Sequence, residues 1–486
     1  MHHVLTDYDV NQYIDTMTMW RPEIESIQGP RYLAIAEALA VDVRSGKINP
    51  GDRLPTHRDL AYRLGVTVGT VSRAYAEAER RGLIGGEVGR GTFVRPDARR
   101  RKAQAVIDVE APLGVPQIID LSVNIPTPMT SDAILAETLT EIVARPGIAR
   151  LMDYHPHAGV AAHRAAGAQW MTECGFPIEP ERLIVTAGGQ HAMTAALGAL
   201  TEPGDVVITE CLTYPGLRRL ADFLRVRLHG IAMDEAGIDP EAFETACRNL
   251  NPKVFYCVTN LQNPTALVVP VERRKEIAAI CQRYGVKIVE DDVYGFLLGA
   301  EAPPALASFA PELGHYFTSL SKSMAPGLRV GYLALPIGSR DDFTQVVRST
   351  TWMATPLTAE IGADWIRNGI GHELADGHRA EAIARQKIAR QILAGHDLSA
   401  ELRAYHLWMR LPEPWSAEAF ALELRLRGVA VTPAGAFATT RTAPSAIRLC
   451  LCEPPERAML ERGLSIIAAT ARSAPGVSIG ADMGVV

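Results

Sequence analysis

Ser319–Gly331 reads SLSKSMAPGLRVG, with one lysine, Lys322, just after the hydroxyls of Ser319 and Ser321 and ahead of Arg329. A lysine that forms an imine with an aldehyde needs an anion site beside it to hold the aldehyde's carrier. Ser319 and Ser321 can donate hydrogen bonds to a phosphate, and Arg329 can neutralise it. Lys322 is therefore read as a Schiff-base lysine. An isolated SxSK is also what a solvated loop looks like, so the surrounding chain has to decide between the two.

The lysine word sits in an alternation of apolar strands and helices. LIVTAGGQHAMTAALGAL (183–200) reads as strand, glycine turn and helix, and VVITECLTYPGLRRLADFL (206–224) repeats the order. VFYCVTNLQNPTA (254–266) and VKIVEDDVYGFL (286–297) are strands ending in polar loops, and HYFTSLSKSMAPGLRVGYLAL (315–335) gives two more strands flanking the lysine. Such alternation predicts an open, largely parallel α/β sheet, in which ligands bind at the carboxyl ends of the strands.

Those ends carry the chemistry. Gly189 and Gln190 open a helix whose first N–H groups form an anion site. Tyr214 can stack on a planar ring, and Asn263 offers an amide. Asp291 and Tyr294 follow IVEDD. A phosphate cradle of Gly189, Gln190, Ser319, Ser321 and Arg329, a capturing lysine, an aromatic lid, an acid and an amide are what pyridoxal 5′-phosphate requires. Asp291 would keep the pyridinium nitrogen protonated, Asn263 and Tyr294 would hydrogen-bond the ring's 3′ oxygen, and burial near cations would lower the Lys322 pKa.

With 486 residues the chain can form two or three domains. No run of about 18 apolar residues appears, and the N-terminus lacks an apolar signal core. Seven scattered cysteines without a CxxC pair give no disulfide framework, which fits a cytoplasmic protein. His155 and His157 lack further ligands nearby, so no metal site is assigned. The net charge of −6 hides an asymmetry: Arg31–Lys102 holds fifteen Lys and Arg against eight Asp and Glu, +7, and leaves −13 on the rest. A basic head on an acidic body points to a nucleic-acid partner.

In that head, Tyr32, Ile35, Ala36, Leu39 and Val43 recur at helical spacing up to Ser45–Gly46. Thr56 is placed to cap a second helix ended by Gly65, and Thr67 or Thr70 opens a third running to Gly82. Two short helices on a tight glycine turn make a helix-turn-helix, and GGEVGRGTFVRP adds a wing with Arg90 at its tip. Double-stranded DNA is the predicted partner, met by Thr67, Thr70, Ser72 and Arg73 on the third helix and by Arg90, Gly91 and Thr92 on the wing.

The words GDRLPTHRDLA, TVSRAYAEAERRGLI and GRGTFV resemble the DNA-binding domain of the GntR family over about 65 residues. The resemblance assigns a DNA contact to Arg58 and puts Thr56 where serine is usual. From Ile118 on, NPT, DDxY, SxSK and APGLR resemble, in order and spacing, a class I aminotransferase of fold type I. Together the two halves resemble the MocR type of regulator. This likeness implies that Arg448, in APSAIRLCLCEP, binds the effector's carboxylate, that Tyr154 reaches the phosphate from a partner subunit, and that the protein is a homodimer. Ala266 replaces the usual glycine of NPTG, and Gly189 a common serine.

The expected organisation is a lead-in over 1–30, a GntR-like winged helix over 31–96 and a linker over 97–117. An aminotransferase-like domain over 118–486 follows, its smaller α/β subdomain spanning 373–486. The leading functional expectation is a transcription regulator that senses an amino compound, or pyridoxal 5′-phosphate itself, through an internal aldimine on Lys322. The alternative is an active class I aminotransferase carrying an accessory DNA-binding domain, with half-transamination open to either.

Overall fold

The computed structural model of the chain describes residues 20–24, 30–45, 47–49, 51–81, 83–87, 91–95 and 118–473. Arg90 and the expected linker lie outside the described residues. The chain forms two compact units, Met1–Val115 and Pro116–Val486.

In the first unit, helices Arg31–Ser45, His57–Leu64 and Val68–Arg80 precede the antiparallel pair Ile84–Glu87 and Gly91–Val94. The helix ends follow local chemistry. The Thr56 and Thr67 hydroxyls accept the N–H groups of Asp59 and Thr70, and Gly65 closes the second helix at φ 61°. The wing is broader than its own two strands, because Leu54 N–H donates to Thr92 O and Val94 N–H to Asp52 O. Trp20, in the expected lead-in, enters the core of this unit and donates from Nε1 to Asp42 at 2.8 Å. A lone tryptophan has no periodicity to reveal it.

The second unit is built on a seven-stranded sheet in the order Leu183–Thr186, Gly331–Ala334, Gly314–Ser319, Lys287–Asp291, Val254–Cys257, Val206–Glu210, Arg227–Ile231. Gly331–Ala334 is antiparallel to both neighbours, and the other pairings are parallel. Most of these strands are buried along their length, as apolar runs covered on both faces must be. The one reversed strand decides the site. Because it starts where its neighbours end, the residues before it, including Arg329, arrive at the same carboxyl edge as Asp291 and Lys322.

A smaller layer contains Leu398–Ser399, His406–Arg410, Ala446–Cys450 and Thr432–Pro433 with the helix Arg457–Ala471. It also takes up the start of the unit, since Ile119–Asp120 pairs in parallel with Val429–Ala430. The long helix expected within 373–486 begins earlier and runs Ile370–Ile392.

Gly331 is packed so closely that a Cβ there would lie 2.8 Å from both the Gly188 carbonyl carbon and Thr186 Oγ1. Gly331→Ala is expected to cost about 1–3 kcal/mol through overpacking, read as a lower thermal midpoint for this unit. Gly327→Ala, which meets nothing within 4 Å, is the neutral control.

Candidate active site and DNA-binding face

The carboxyl edge of the large sheet opens into a cavity of about 810 Å³, walled on another side by the small layer through Thr432, Phe437 and Arg448. Lys322 lies on the one-turn helix Leu320–Ser323, whose cap, Ser319, accepts from Ser321 N–H. Its ammonium donates to the carbonyl of Asn124, and its own carbonyl accepts from the Tyr405 hydroxyl at 2.8 Å. Burial, reinforced by Arg448 and Arg329, lowers the Lys322 pKa to about 8, against the pull of Cys450 and Asp291. At pH 7.5 roughly a quarter of such lysines are neutral, against about one in a thousand at the ordinary value.

Asp291 ends its strand 7 % exposed. One carboxylate oxygen accepts from the Tyr256 hydroxyl at 2.6 Å, and the other, Oδ1, has no partner among the described residues. Burial raises its pKa to about 7, Tyr256 opposes the rise, and Asp292 adds to it. An unpaired buried polar atom costs about 1–3 kcal/mol, so the site calls for a donor at Oδ1.

Below it lies an anion cradle. Gly188, at φ 87°, caps the helix Gly189–Leu200 and its carbonyl accepts from the N–H groups of His191 and Ala192, so the N–H groups of Gly189 and Gln190 are the ones a helix start leaves without an intrahelical acceptor. A Cβ at Gly188 would fall 2.6 Å from the Arg329 guanidinium, so only glycine lets that cation come so near the helix start. Arg329 donates to Ser321 Oγ at 3.1 Å, and Ser319 Oγ, with one proton to give, lies 3.1 Å from both Val330 O and Ser321 Oγ. Tyr214, the residue before a second helix at this edge, donates to Gln190 Oε1 at 3.3 Å.

Asn263, Tyr294 and Arg448 complete the wall. Arg448 donates to Asn263 Oδ1 at 2.7 Å and to Ser122 O at 2.6 Å, and its guanidinium lies 4.8 Å from the Phe437 ring centre. Its Nε has no partner among the described residues. Tyr294 is buried, and its hydroxyl accepts from Asn124 Nδ2 at 2.8 Å. These groups fit pyridoxal 5′-phosphate: an unpaired carboxylate oxygen for a pyridinium N–H, a cationic glycine cradle for a phosphate and a lysine of lowered pKa in the cavity wall.

Of the residues named for this site, the structure gathers Lys322, Asp291, Tyr294, Asn263, Tyr214, Gly189, Gln190, Ser319, Ser321, Arg329 and Arg448 round one cavity. Tyr154 stands apart, 82 % exposed, its ring 5.7 Å from that of Trp352. His155 Nε2 and His157 Nδ1 are engaged by the carbonyls of Arg150 and Trp352. Asn124, Ser122 and Tyr256 escaped the sequence reading. The first two lie in a short loop with no motif, and Tyr256 looks like any aromatic in a buried strand.

On the head, Arg58, Thr67 and Arg73 are exposed. Thr70 and Thr67 share a hydroxyl contact at 2.9 Å. Ser72 is half-buried and meets His57 Nδ1 at 3.1 Å, fastening the third helix to the one before it. Gly91 and Thr92 are half-buried on the wing, where Gly91 takes φ 116° beside Arg53.

Fold and site together define a pyridoxal-phosphate-type aminotransferase body joined to a helix-turn-helix DNA-binding head. Residues 116–467 match the family Aminotransferase class I and II, and residues 31–94 match Bacterial regulatory proteins, gntR family. The uncharacterized HTH-type transcriptional regulator YdeF of Bacillus subtilis is 31 % identical over 460 residues, 94 % of this chain and 98 % of that protein. The HTH-type pyridoxine biosynthesis transcriptional regulator PdxR of Corynebacterium glutamicum is 28 % identical over 298 residues, 60 % of this chain and 63 % of its own. The crystal structure of an archaeal alanine:glyoxylate aminotransferase shares the fold, with a TM-score of 0.68 at 24 % identity over 73 % of this chain and 91 % of that one. The chain belongs to the class I and II aminotransferase family and, with its GntR head, is a transcriptional regulator of the MocR type.

Because Lys322 is held near pKa 8, its capture of pyridoxal 5′-phosphate should rise with pH and level off above about pH 8. A lysine of ordinary pKa would still be gaining rate two units higher. Stopped-flow absorption on wild type and Lys322→Ala checks this, the variant losing the signal altogether.

Proposed function

We propose that this regulator binds pyridoxal 5′-phosphate at Lys322 and uses it in the cytoplasm to sense an amino compound, or the cofactor itself, acting as a homodimer. The observation that carries the reading is the buried, unpaired oxygen of Asp291 in the wall that also presents Lys322. Asp291 Oδ1 would take the pyridinium N–H, and Ser319, Ser321, Arg329 and the Gly189–Gln190 helix start would take the phosphate. The ring would lie against Tyr214, with Asn263 and Tyr294 at its 3′ oxygen. When bound, the cofactor supplies an aldehyde for amines and an electron sink. Arg448 selects for a carboxylate beside the amine, because a guanidinium meets a carboxylate through two parallel hydrogen bonds.

A carboxylate at Arg448 competes for the N–H groups now given to Asn263 and Ser122. The effector thereby changes contacts in the wall, and a preference of about 1–3 kcal/mol for one of two states suffices for regulation. PdxR, named for regulating pyridoxine biosynthesis, lends support to the cofactor as a signal. The homodimer is supported by Met152 and Tyr154, 74 % and 82 % exposed, with Trp352 beside Tyr154 at 42 %. An apolar group of this kind suits a subunit contact that would carry Tyr154 to the partner's phosphate.

Gel retardation of the protein's own promoter region tests the proposal. Binding at low salt should change at least fivefold when pyridoxal 5′-phosphate or a suitable amino acid is added. Lys322→Ala should still bind DNA and lose the response, whereas Arg58→Ala should weaken binding and keep it. An unchanged ligand response in Lys322→Ala, or no retardation at low salt where phosphate contacts are strongest, would overturn it. The second reading, a working aminotransferase, is favoured by Lys322, Asp291 and Arg448 meeting in one cavity. Repeated turnover with an amino donor and a keto-acid acceptor would establish it.

A further inference from the structure

We propose that Asn124 is a positioning residue that fixes the direction of the Tyr294 hydroxyl and so sets the proton affinity of the bound cofactor. The inference rests on the reading of this cavity as a pyridoxal 5′-phosphate site. Asn124 lies in the loop that enters the cavity five residues after Ile119, the start of the described strand that pairs with the small layer, and it is 8 % exposed.

The proton inventory follows from one end of a chain of contacts. His406 is fully buried, and burial, with Arg448 next, lowers its pKa to about 3, so the ring is neutral. Its Nε2 lies 3.0 Å from Gln262 O, an atom that only accepts, and must therefore carry the ring's single proton. Nδ1 is then an acceptor and requires a donor, which is Asn124 Nδ2 at 3.2 Å. The second N–H of the same amide points to the Tyr294 hydroxyl oxygen at 2.8 Å. Tyr294 thus accepts from Asn124, and its own proton is free for the cavity. Reversing the amide would set Oδ1 against the His406 lone pair, so the orientation is determined by chemistry.

The consequence reaches the cofactor's 3′ oxygen. A donor aimed at that oxygen stabilises its anion and lowers the pKa at which the lysine-bound cofactor takes up a proton. Without Asn124, the Tyr294 hydroxyl loses its fixed acceptor role and can turn its proton to His406 or water. Asn124 has a further part to play: its main-chain carbonyl accepts from Lys322, and its buried Oδ1, without a partner among the described residues, remains an acceptor. One residue therefore touches the lysine through its backbone and aims the tyrosine through its side chain.

The test is a pH titration of the absorption band of the full-length protein loaded with pyridoxal 5′-phosphate. Asn124→Leu, close to isosteric, should raise the midpoint by about one unit, near 1.4 kcal/mol. Asn124→Asp should raise it too, since a carboxylate draws the Tyr294 proton to itself. In a Tyr294→Phe background, Asn124→Leu should add no further shift, which a merely structural residue would not obey. Thermal melting identifies any variant that fails to fold, and the aspartate variant then carries the test. A wild-type band with unchanged midpoints in both variants overturns the assignment alone. A wild-type protein with no band overturns the cofactor reading and the assignment with it.

Discussion

A carboxylate buried with one oxygen unpaired is the constraint on which the second unit depends. Three acids in a row, Glu290, Asp291 and Asp292, are buried where one strand ends. Glu290 is satisfied by Thr259 and by the N–H groups of Leu306 and Ala307, with Arg274 at 3.9 Å. Asp292 accepts from Asn260 and Tyr316, and its remaining unpaired oxygen is not in the cavity wall. Asp291 faces the opposite way, as alternation along a strand demands, and the Tyr256 hydroxyl and the Val293 main chain oppose its desolvation while Oδ1 stays without a partner among the described residues. Desolvation of this kind is tolerable when a bound cation completes it. The fold thus carries in its own electrostatics a demand for a hydrogen-bond donor or cation in the cavity.

Topology then assembles the other charges round that demand. Parallel strands deliver Asp291 and Lys322 to one edge, and the reversed strand Gly331–Ala334 brings Arg329 back to it. Gly188 and Gly331 allow backbone and guanidinium to approach where a methyl group would collide. The cations near Lys322 add positive charge to the cavity and reinforce burial in lowering the lysine's pKa.

The loop over residues 121–126 joins these parts. Ser122 O receives Arg448 and the Thr432 hydroxyl, while Asn124 receives Lys322 and supports Tyr294. The same loop continues from a strand paired with the small layer. Arg448 and Lys322 are therefore both held by the loop that follows the first described strand of this unit. Regulation built on such contacts needs no large rearrangement, only two arrangements of comparable energy.

The lysine word, the strand-end acids and the capped helices of the head could be read directly because each depends on local chemistry. A glycine turn ends a helix, a hydroxyl caps one, and apolar runs alternate wherever sheet and helices pack. The contact of Ser72 with His57, fifteen residues away, left no mark in the sequence. Asn124, Tyr256 and the strand Ile119–Asp120 were beyond sequence reasoning for the same reason: their partners lie 170, 35 and about 310 residues along the chain. The sequence by itself determined a GntR head and an α/β body and named the candidate groups that the cavity gathers, since these follow from residue type and spacing. Only the tertiary structure decided which oxygen of Asp291 stays unpaired and which way Tyr294 points, because hydrogen bonds between distant segments leave no period in the sequence.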